Sequence, residues 1–436
     1  MTTGTTAAAW GVSLAAAALF VLAAAGGPAA QGRETDHVIQ FYQARVARDP
    51  DDFLSYNKLG TAYIQKARDT GDVTYYGLAE KALRRSLTLV PQGPAASTAT
   101  TWLAVVEFAR HQFRDALATA ERALALGPGD LYPHAIVGDA YVELGEYDRA
   151  AEAYAKMLEL SGPLHPHSRL AYLKFLKGDP EAAVTHMRRA VAAARSGVPG
   201  ENVAWTHAQL GELLFQVGDF AGAEKAYEDA LARHPGYHRA LAGLAGVRAA
   251  QRRYPEAIEL YRRAIGVVPL PEYAAALGDV YTKAGRASDA KQQYDLVEFI
   301  GRLNALNKTI YNRELALFYA DHDMKPKEAL ALAEQELQVR RDIYTYDVLA
   351  WALYRNGRAR EAAAAMAEAL RLGTRDARLY FHAGMIHRAL DDAERARDYL
   401  ARALAVNPRF HPLQADVASR ALAALARGAT PKERPR

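Results

Sequence analysis

A small residue, glycine or alanine, recurs through most of this chain at intervals of about 34 residues. The ten positions are Gly60, Ala104, Gly138, Ala171, Gly211, Ala245, Gly278, Ala316, Ala350 and Gly384. From Ala104 onward, successive position numbers in this set differ by 34, 33, 40, 34, 33, 38, 34 and 34. A period of this length is typical of an array of similar units, each of which buries its apolar face only against its neighbours. The period therefore predicts a repeat solenoid.

A second set of positions indicates what each unit contains. Twelve positions after eight of the ten small residues comes an alanine, at 116, 150, 183, 223, 257, 290, 362 and 396. Turn glycines such as Gly145 and Gly178 lie between the two sets, and aromatic residues such as Tyr154 and Tyr227 follow the second. Two antiparallel helices approach closely only where one offers a small residue and the other fills the gap. Each unit is therefore predicted to be a helical hairpin.

The clearest unit is residues 131–162, with the sequence LYPHAIVGDAYVELGEYDRAAEAYAKMLELSG. Its Gly138, Tyr141, Gly145, Ala150 and Tyr154 match the tetratricopeptide consensus in residue type and spacing, so the chain resembles the tetratricopeptide-repeat family. The resemblance implies an all-α superhelical solenoid of about ten helix–turn–helix units, with a concave and a convex face and with capping helices at both ends.

The repeat register divides the whole chain. The predicted segments are a signal peptide or N-terminal anchor over 1–32, an N-terminal helix over 33–52, about ten units over 53–410, a C-terminal capping helix over 411–428 and a disordered basic tail over 429–436. No stretch of about 100 residues is left for a separate catalytic domain. A catalytic site would have to be built on the repeats.

The N-terminal residues suggest export. From Ala7 to Ala25 the chain is uncharged and apolar, and the breaker Gly26-Gly27-Pro28 follows. No Lys or Arg precedes the run, so the basic start of an ordinary export signal is missing. We favour a cleaved signal over an uncleaved anchor and expect an exported, periplasmic or cell-envelope protein. Membrane contact is expected only through this segment, if it is not cleaved.

Composition excludes several kinds of site. The chain has no cysteine, which excludes disulfides, thiol catalysis and Cys-ligated zinc or iron–sulfur centres. Its 54 Lys and Arg residues against 50 Asp and Glu residues give a formal charge of only +4. This charge, without a continuous basic stripe, gives no electrostatic case for nucleic acid. We expect no cofactor and no metal.

The cluster Asp321-His322-Asp323 invites a catalytic or metal-binding interpretation. In the repeat register it falls at the end of a first helix and in the following turn. Three adjacent residues there point in different directions and cannot all reach one metal ion. We expect these residues to form a turn, with Asp323 capping the next helix. The second interpretation is that they form a polar edge that recognises a partner.

The first helices of units eight to ten carry aromatic, Met and Arg side chains at helical spacing. This is the composition of an interaction hot spot. The predicted partner-binding residues are Arg313, Asp321, His322, Tyr344, Asp347, Trp351, Tyr354, Phe381, His382, Met385 and Arg388. The alternative is that the aromatic residues belong to the core or pack against the C-terminal cap.

The resemblance implies a non-catalytic binding or scaffold protein whose concave surface holds a peptide or helix of a partner protein, and the N-terminal run places it in an envelope or exported assembly. A second hypothesis is an enzyme accessory or enzyme with a polar site around Arg313, Asp321, His322 and Asp347. The sequence does not name the partner, because repeat surfaces encode specificity in scattered side chains.

Overall fold

The structure is a computed structural model that describes residues 28–161, 167–194, 200–306 and 312–428. The apolar run from Ala7 to Ala25 and the predicted tail over 429–436 lie outside these ranges. Within them all regular secondary structure is α-helical. Among the described helices, none has both the length and the apolar character needed to cross a membrane.

The described residues form 22 helices. In chain order they are α1 (Pro28–Arg48), α2 (Phe53–Thr70), α3 (Thr74–Leu89), α4 (Pro94–Ala109), α5 (Phe113–Leu126), α6 (Leu131–Glu143), α7 (Tyr147–Ser161), α8 (His167–Leu176), α9 (Pro180–Ala193), α10 (Gly200–Gln216), α11 (Phe220–Arg233), α12 (His238–Ala250), α13 (Tyr254–Val267), α14 (Pro271–Lys283), α15 (Ala287–Leu306), α16 (Asn312–Asp321), α17 (Pro326–Val339), α18 (Ile343–Arg355), α19 (Ala359–Ala369), α20 (Ala377–Ala389), α21 (Ala393–Val406) and α22 (Gln414–Gly428).

Helices α2 to α21 pair in sequence into ten hairpins, and each hairpin packs on the next. Helix α1 packs on α2 and helix α22 packs on α21, so both ends of the array are covered. The predicted all-α solenoid of about ten units is confirmed. Helix α1 begins at Pro28 and ends at Arg48, whereas the sequence suggested 33–52. Helix α22 begins at Gln414, slightly after the suggested start at His411.

The small residues of the repeat lie at the closest contacts within hairpins. A Cβ atom added to Gly138 would lie 2.3 Å from the ring of Tyr154, and one added to Gly278 would lie 2.3 Å from the ring of Tyr294. The side chain of Ala245, at the equivalent position, is fully buried. The expected pairing of a small residue on the first helix with a large one on the second is confirmed, because at these two glycines even a methyl group would overlap the facing ring.

Successive turns of the superhelix are in contact along a seam. On one side are the loops after α6, α8 and α10. On the other side, in the same order, are the segment before α18, the segment before α20 and the end of α21. Gly145 has a φ of 79°, and a Cβ atom there would lie 2.4 Å from the carbonyl oxygen of Arg341. Gly178 has a φ of 76°, and a Cβ atom there would lie 2.5 Å from the carbonyl oxygen of Gly373. Glycine at these turns allows backbone to meet backbone between hairpins that are distant in sequence.

Buried charges also cross the seam. The side chain of Arg340, directly after α17, is 2% exposed and pairs with Glu143 on α6 at 3.1 Å and with Glu336 on α17 at 2.6 Å. The backbone N–H of Arg341 donates to the carbonyl of Glu143 at 2.9 Å. Ile343 N–H donates to the hydroxyl of Tyr147 at 2.9 Å. These bonds tie the third hairpin to the start of the ninth.

Substituting alanine for Gly138 is expected to destabilise the fold by about 1–3 kcal/mol, because the added methyl group overlaps the ring of Tyr154. The matched control is alanine at Gly77 in α3, where an added Cβ atom meets nothing within 4 Å. There the better helix propensity of alanine should stabilise the protein by up to about 1 kcal/mol. Chemical denaturation measures both changes, and equal effects at the two glycines would contradict the packing argument.

Substituting methionine for Arg340 is expected to cost about 3–5 kcal/mol of unfolding free energy, because Glu143 and Glu336 lose their buried partner. Alanine at the neighbouring Arg341, whose side chain is exposed, keeps the backbone bond to Glu143 and should change stability little. The measurement is again denaturant unfolding. A small effect at Arg340 would mean that the seam is not a packed interface.

Candidate functional site

An inner cavity of about 310 Å³ lies on the inner surface of the superhelix. Its walls come mainly from the first helices of the fifth to tenth hairpins, which are α10, α12, α14, α16, α18 and α20, and from the chain between α21 and α22. This volume is at the lower end of the range of about 300–1,000 Å³ that is usual for ligand pockets. It is the candidate functional site.

The cavity is covered on one side by residues 407–413, the segment between α21 and α22, which we call the C-terminal strap. At its start Asn407 Nδ2 donates to the carbonyl of Phe215 at 2.7 Å. Arg409 Nη1 donates to the carbonyl of Ala250, the last residue of α12, at 2.7 Å. The last carbonyls of a helix have no partner within it and favour a cation. The strap therefore begins by binding helix ends of the preceding superhelical turn.

The middle of the strap is fixed by His411. Its Nδ1 accepts the backbone N–H groups of Leu413 at 3.2 Å and Gln414 at 3.3 Å, which begin α22. With Nδ1 as acceptor, Nε2 carries the proton and donates to Asp279 Oδ2 at 3.2 Å. One imidazole thus caps α22 and anchors the strap to α14.

Asp279 is a junction of three hydrogen bonds. It accepts from the hydroxyl of Tyr294 at 2.8 Å and from Nε2 of His322 at 2.7 Å, besides His411. Burial would raise the pKa of this carboxyl, but the hydrogen bonds from the two histidines outweigh burial and hold the pKa well below its usual value. Asp279 is therefore an anion at neutral pH.

His322 faces an acceptor with each ring nitrogen. Its Nδ1 lies 2.8 Å from the carbonyl oxygen of Phe318 and its Nε2 lies 2.7 Å from Asp279. Burial would lower the pKa of His322, but the hydrogen bond and charge of Asp279 raise it above the ordinary value, with Asp321 adding to the effect. This geometry suits a protonated imidazolium, because both nitrogens then donate.

Asp321, at the end of α16, joins the C-terminal cap to the aromatic residues behind the cavity. It accepts from Trp351 Nε1 at 2.8 Å and from Nε2 of Gln414, the first residue of α22, at 2.6 Å. His382 lies 3.8 Å from it and bonds Asp347 at 2.7 Å. Despite its burial, His382 has a raised pKa, because Asp347 and Asp321 both favour the charged ring.

The predicted partner-binding residues differ in their exposure to solvent. Seven are buried, namely Arg313, Tyr344, Asp347, Trp351, Phe381, His382 and Met385, while Asp321, His322 and Tyr354 are half-buried and Arg388 is exposed. Four line the cavity: Arg313, Asp321, His322 and Tyr344. A role of these four residues in partner binding stays a prediction, and their position on the cavity wall is where a partner would contact them.

The remaining aromatic residues form packed layers. The ring of Trp351, 1% exposed, stacks between Tyr354 at 4.7 Å and His382 at 4.2 Å. Phe381 lies 5.7 Å from Phe410 of the strap. This arrangement is the alternative considered from the sequence, in which the aromatic residues belong to the core or pack near the C-terminal cap. Any contact of these rings with a partner stays a prediction and requires the strap to move.

The residues of the hypothetical polar enzyme site do not form one cluster. Arg313 pairs with Asp342 at 3.2 Å and with Glu314 at 3.4 Å, on the side of the seam. Asp321 and Asp347 meet only through His382. In the part of the chain that is described, no three or more His, Asp or Glu side chains are grouped to hold a metal ion.

The expected capping role of Asp323 is wrong. Lys325 occupies the position before α17, and its side chain makes no capping hydrogen bond. Asp323 has a φ of 55° and Lys325 a φ of 43°, so both lie in the left-handed region. Two such residues tighten the turn, and the turn instead closes with Met324 N–H donating to the carbonyl of Tyr319 at 2.8 Å.

Sequence reasoning missed the residues that complete the site. His411 and Gln414 were assigned to a capping helix, and Asp279 was not among the predicted partner-binding residues. A local cue for the strap existed, since the proline pair Pro408 and Pro412 interrupts the helical pattern after α21. Which residues the strap would contact depends on the superhelical turn and has no local cue.

Replacing His322 with glutamine tests the ion pair with Asp279. The pKa of His322 is raised by folding, so the charged ring stabilises the folded protein. This contribution is fully present below the ordinary pKa of 6.5 and is lost as the pH rises through the pKa of the folded protein. The pKa of Asp279 is lowered, so its stabilisation is present above its ordinary value of 3.8. The wild type should exceed the variant in melting temperature by more at about pH 5.5 than at about pH 8.5.

Thermal melting at the two pH values gives the difference directly. The matched control is glutamine at the exposed His37 of α1, which should change the melting temperature little at either pH. A difference for the His322 variant that does not depend on pH would contradict a protonated His322.

Three models of the tetratricopeptide repeat match the chain. The first matches residues 67–131, 209–274 and 348–412, the second residues 164–236, and the third residues 134–162. No curated protein sequence matches the chain significantly.

Three solved structures are similar to parts of the chain. MamA shares 22% identity over 39% of this chain and 96% of its own, with a TM-score of 0.32. PilW, described as a widely conserved type IV pilus biogenesis factor, shares 20% identity over 48% of this chain and 93% of its own, with a TM-score of 0.39. A human IFIT1 dimer with PPP-AAAA shares 12% identity over 85% of this chain and 94% of its own, with a TM-score of 0.46.

The repeat models together match more than half of the chain, and the matched segments lie along the array of hairpins. The small-residue contact between Gly138 and Tyr154, both inside one matched segment, gives a physical reason for the match. The chain belongs to the tetratricopeptide-repeat family.

Proposed function

We propose that this protein is a non-catalytic binding scaffold that holds a peptide segment or helix of a partner protein at the inner cavity, within an exported or envelope assembly. Tetratricopeptide repeats generally mediate interactions between proteins, which supports a protein partner in general terms. The inner cavity supplies the place where such a partner binds.

The observation that carries the proposal is the lining of the cavity. Apolar side chains such as Leu317 and Val348 line it together with charged ones such as Glu272, Arg313 and Asp321. A pocket that combines apolar walls with fixed polar groups selects a ligand by both shape and hydrogen bonding. A short segment of a partner chain fits this chemistry, because it brings side chains of both kinds.

The envelope location rests on the apolar run from Ala7 to Ala25, which lies outside the described residues. The alternative of an enzyme or enzyme accessory keeps three cavity-lining residues from its hypothetical site, Arg313, Asp321 and His322. A stoichiometric metal ion in the purified protein, or clear turnover in a hydrolase screen, would contradict the scaffold proposal.

A photo-crosslinking amino acid placed at Ala276, which lines the cavity, is expected to capture a partner protein in the envelope fraction of intact cells. The matched control carries the same amino acid at Arg263, an exposed residue of α13 that does not line the cavity. Mass spectrometry of the crosslinked product identifies the captured segment.

Capture at Ala276 but not at Arg263 supports the proposal. Equal capture at both positions, or none at Ala276, contradicts binding at the cavity. A partner captured only in the cytosolic fraction contradicts the envelope assembly and leaves the cavity as the binding site.

A further inference from the structure

The C-terminal strap contacts the inner surface as a bound peptide would. It crosses from α21 to α22 over the cavity. Together with Gln414, which directly follows it, the strap is bonded to α10, α12, α14 and α16, the first helices of the fifth to eighth hairpins. Its sequence, NPRFHPL over 407–413, combines donors, an aromatic ring and proline. A capping connection between two helices needs none of these long-range bonds.

The groups that receive the strap and Gln414 are almost all acceptors. They are the carbonyls of Phe215 and Ala250 and the carboxylates of Asp279 and Asp321. Acceptors of this kind bind a basic, donor-rich segment, and leaving a buried one unpaired costs free energy. Any segment that replaces the strap must therefore present donors at the same places.

The aromatic ring of the strap has its own slot. Phe410 is 8% exposed and lies against Phe381, which packs in turn on Trp351 at 5.7 Å. Aromatic side chains and arginine are enriched at the buried centres of protein interfaces. The slot and the acceptors together define a site for a basic residue followed by an aromatic one.

We propose that the C-terminal strap is an internal ligand that occupies the partner site, and that the partner binds through a segment of the same chemistry: a basic residue, an aromatic residue and a further hydrogen-bond donor, followed by proline. This inference rests on the proposed function and names the class of partner segment. The partner segment replaces Arg409, Phe410 and His411 on the inner surface and extends into the cavity beside them.

An internal ligand is difficult to displace because it is tethered. A segment held within the same chain acts at an effective concentration on the order of millimolar, so a free peptide of equal intrinsic affinity competes poorly. Weakening the bonds of the strap, while leaving its receptor groups intact, should therefore raise the affinity for a free peptide of the same sequence.

The test uses the full chain and a fluorescent synthetic peptide of residues 406–416. The latch variant carries Arg409→Ala and Gln414→Ala, which remove donors at and beside the strap and leave Ala250, Asp279 and Asp321 unchanged. Each lost hydrogen bond changes an equilibrium by about two- to tenfold, so the latch variant should bind the peptide about tenfold or more tightly than the wild type. The control protein carries Arg397→Ala on the exposed side of α21 and should bind as the wild type does.

A second peptide, with alanine in place of both Arg409 and Phe410, should lose about tenfold or more in affinity for the latch variant. Circular dichroism verifies that the latch variant is folded. If it is not, Gln414→Ala alone serves, with an expected gain of about threefold.

Three outcomes overturn the inference: equal peptide affinity of the wild type and the folded variant, equal affinity for the two peptides, or dimers of the latch variant that bind no peptide. The last would make a second copy of the chain the occupant. If the crosslinker at Ala276 captures a partner while one of these outcomes holds, the proposed function stands and only the inference fails. If Ala276 captures nothing, the proposed function itself fails.

Discussion

The contact on which the rest of this structure depends is the approach of backbone to backbone along the seam. At Gly145 and Gly178 the loop of one superhelical turn lies against the chain of the next turn, closer than any side chain would permit. A solenoid without such a contact has two free surfaces and an inner face accessible along its length. The seam brings the tenth hairpin and the C-terminal strap over the inner face of the fifth to seventh hairpins, and this encloses the cavity.

The buried charged side chains at the seam favour one arrangement of the two superhelical turns. A buried pair such as Arg340 with Glu143 contributes little net stability compared with apolar packing, because both groups lose water. A slip of one hairpin would leave Arg340 and Glu336 without their cross-turn partner, at a cost of several kcal/mol. The charges therefore act mainly against the wrong registers, while the tight glycine turns set how closely the two chains approach.

Stability and binding compete at the strap. The bonds of Arg409, His411 and Gln414 close the superhelix, and the same bonds occupy the acceptors that a partner segment would use. His322 and Asp279 form a charged pair beneath the strap that fixes the position of one of these acceptors. In the proposed function, binding would exchange this internal contact for an external one, so that no buried carboxylate is left without a donor.

Sequence reasoning succeeded for the fold because the repeat depends on local packing. Gly138 and Tyr154 belong to the same hairpin, and their fit is written in the chain as a small residue and an aromatic one at a fixed spacing. The same reasoning identified four residues that line the cavity, among them Asp321 and His322, because they lie on the inner face or at the end of first helices. Trp351 and Phe381 were predicted to lie on that face too. The sequence does not show that the strap and neighbouring side chains cover them.

What the sequence determined by itself is the unit and the number of its copies, since each hairpin is held by contacts within one repeat and with its nearest neighbours. What only the tertiary structure decided is how the copies meet after almost one superhelical turn. Small rotations between successive hairpins add up along the array, and no local pattern records their sum. The junction of Asp279 with His322 and His411, which come from three separate parts of the sequence, exists because of that sum.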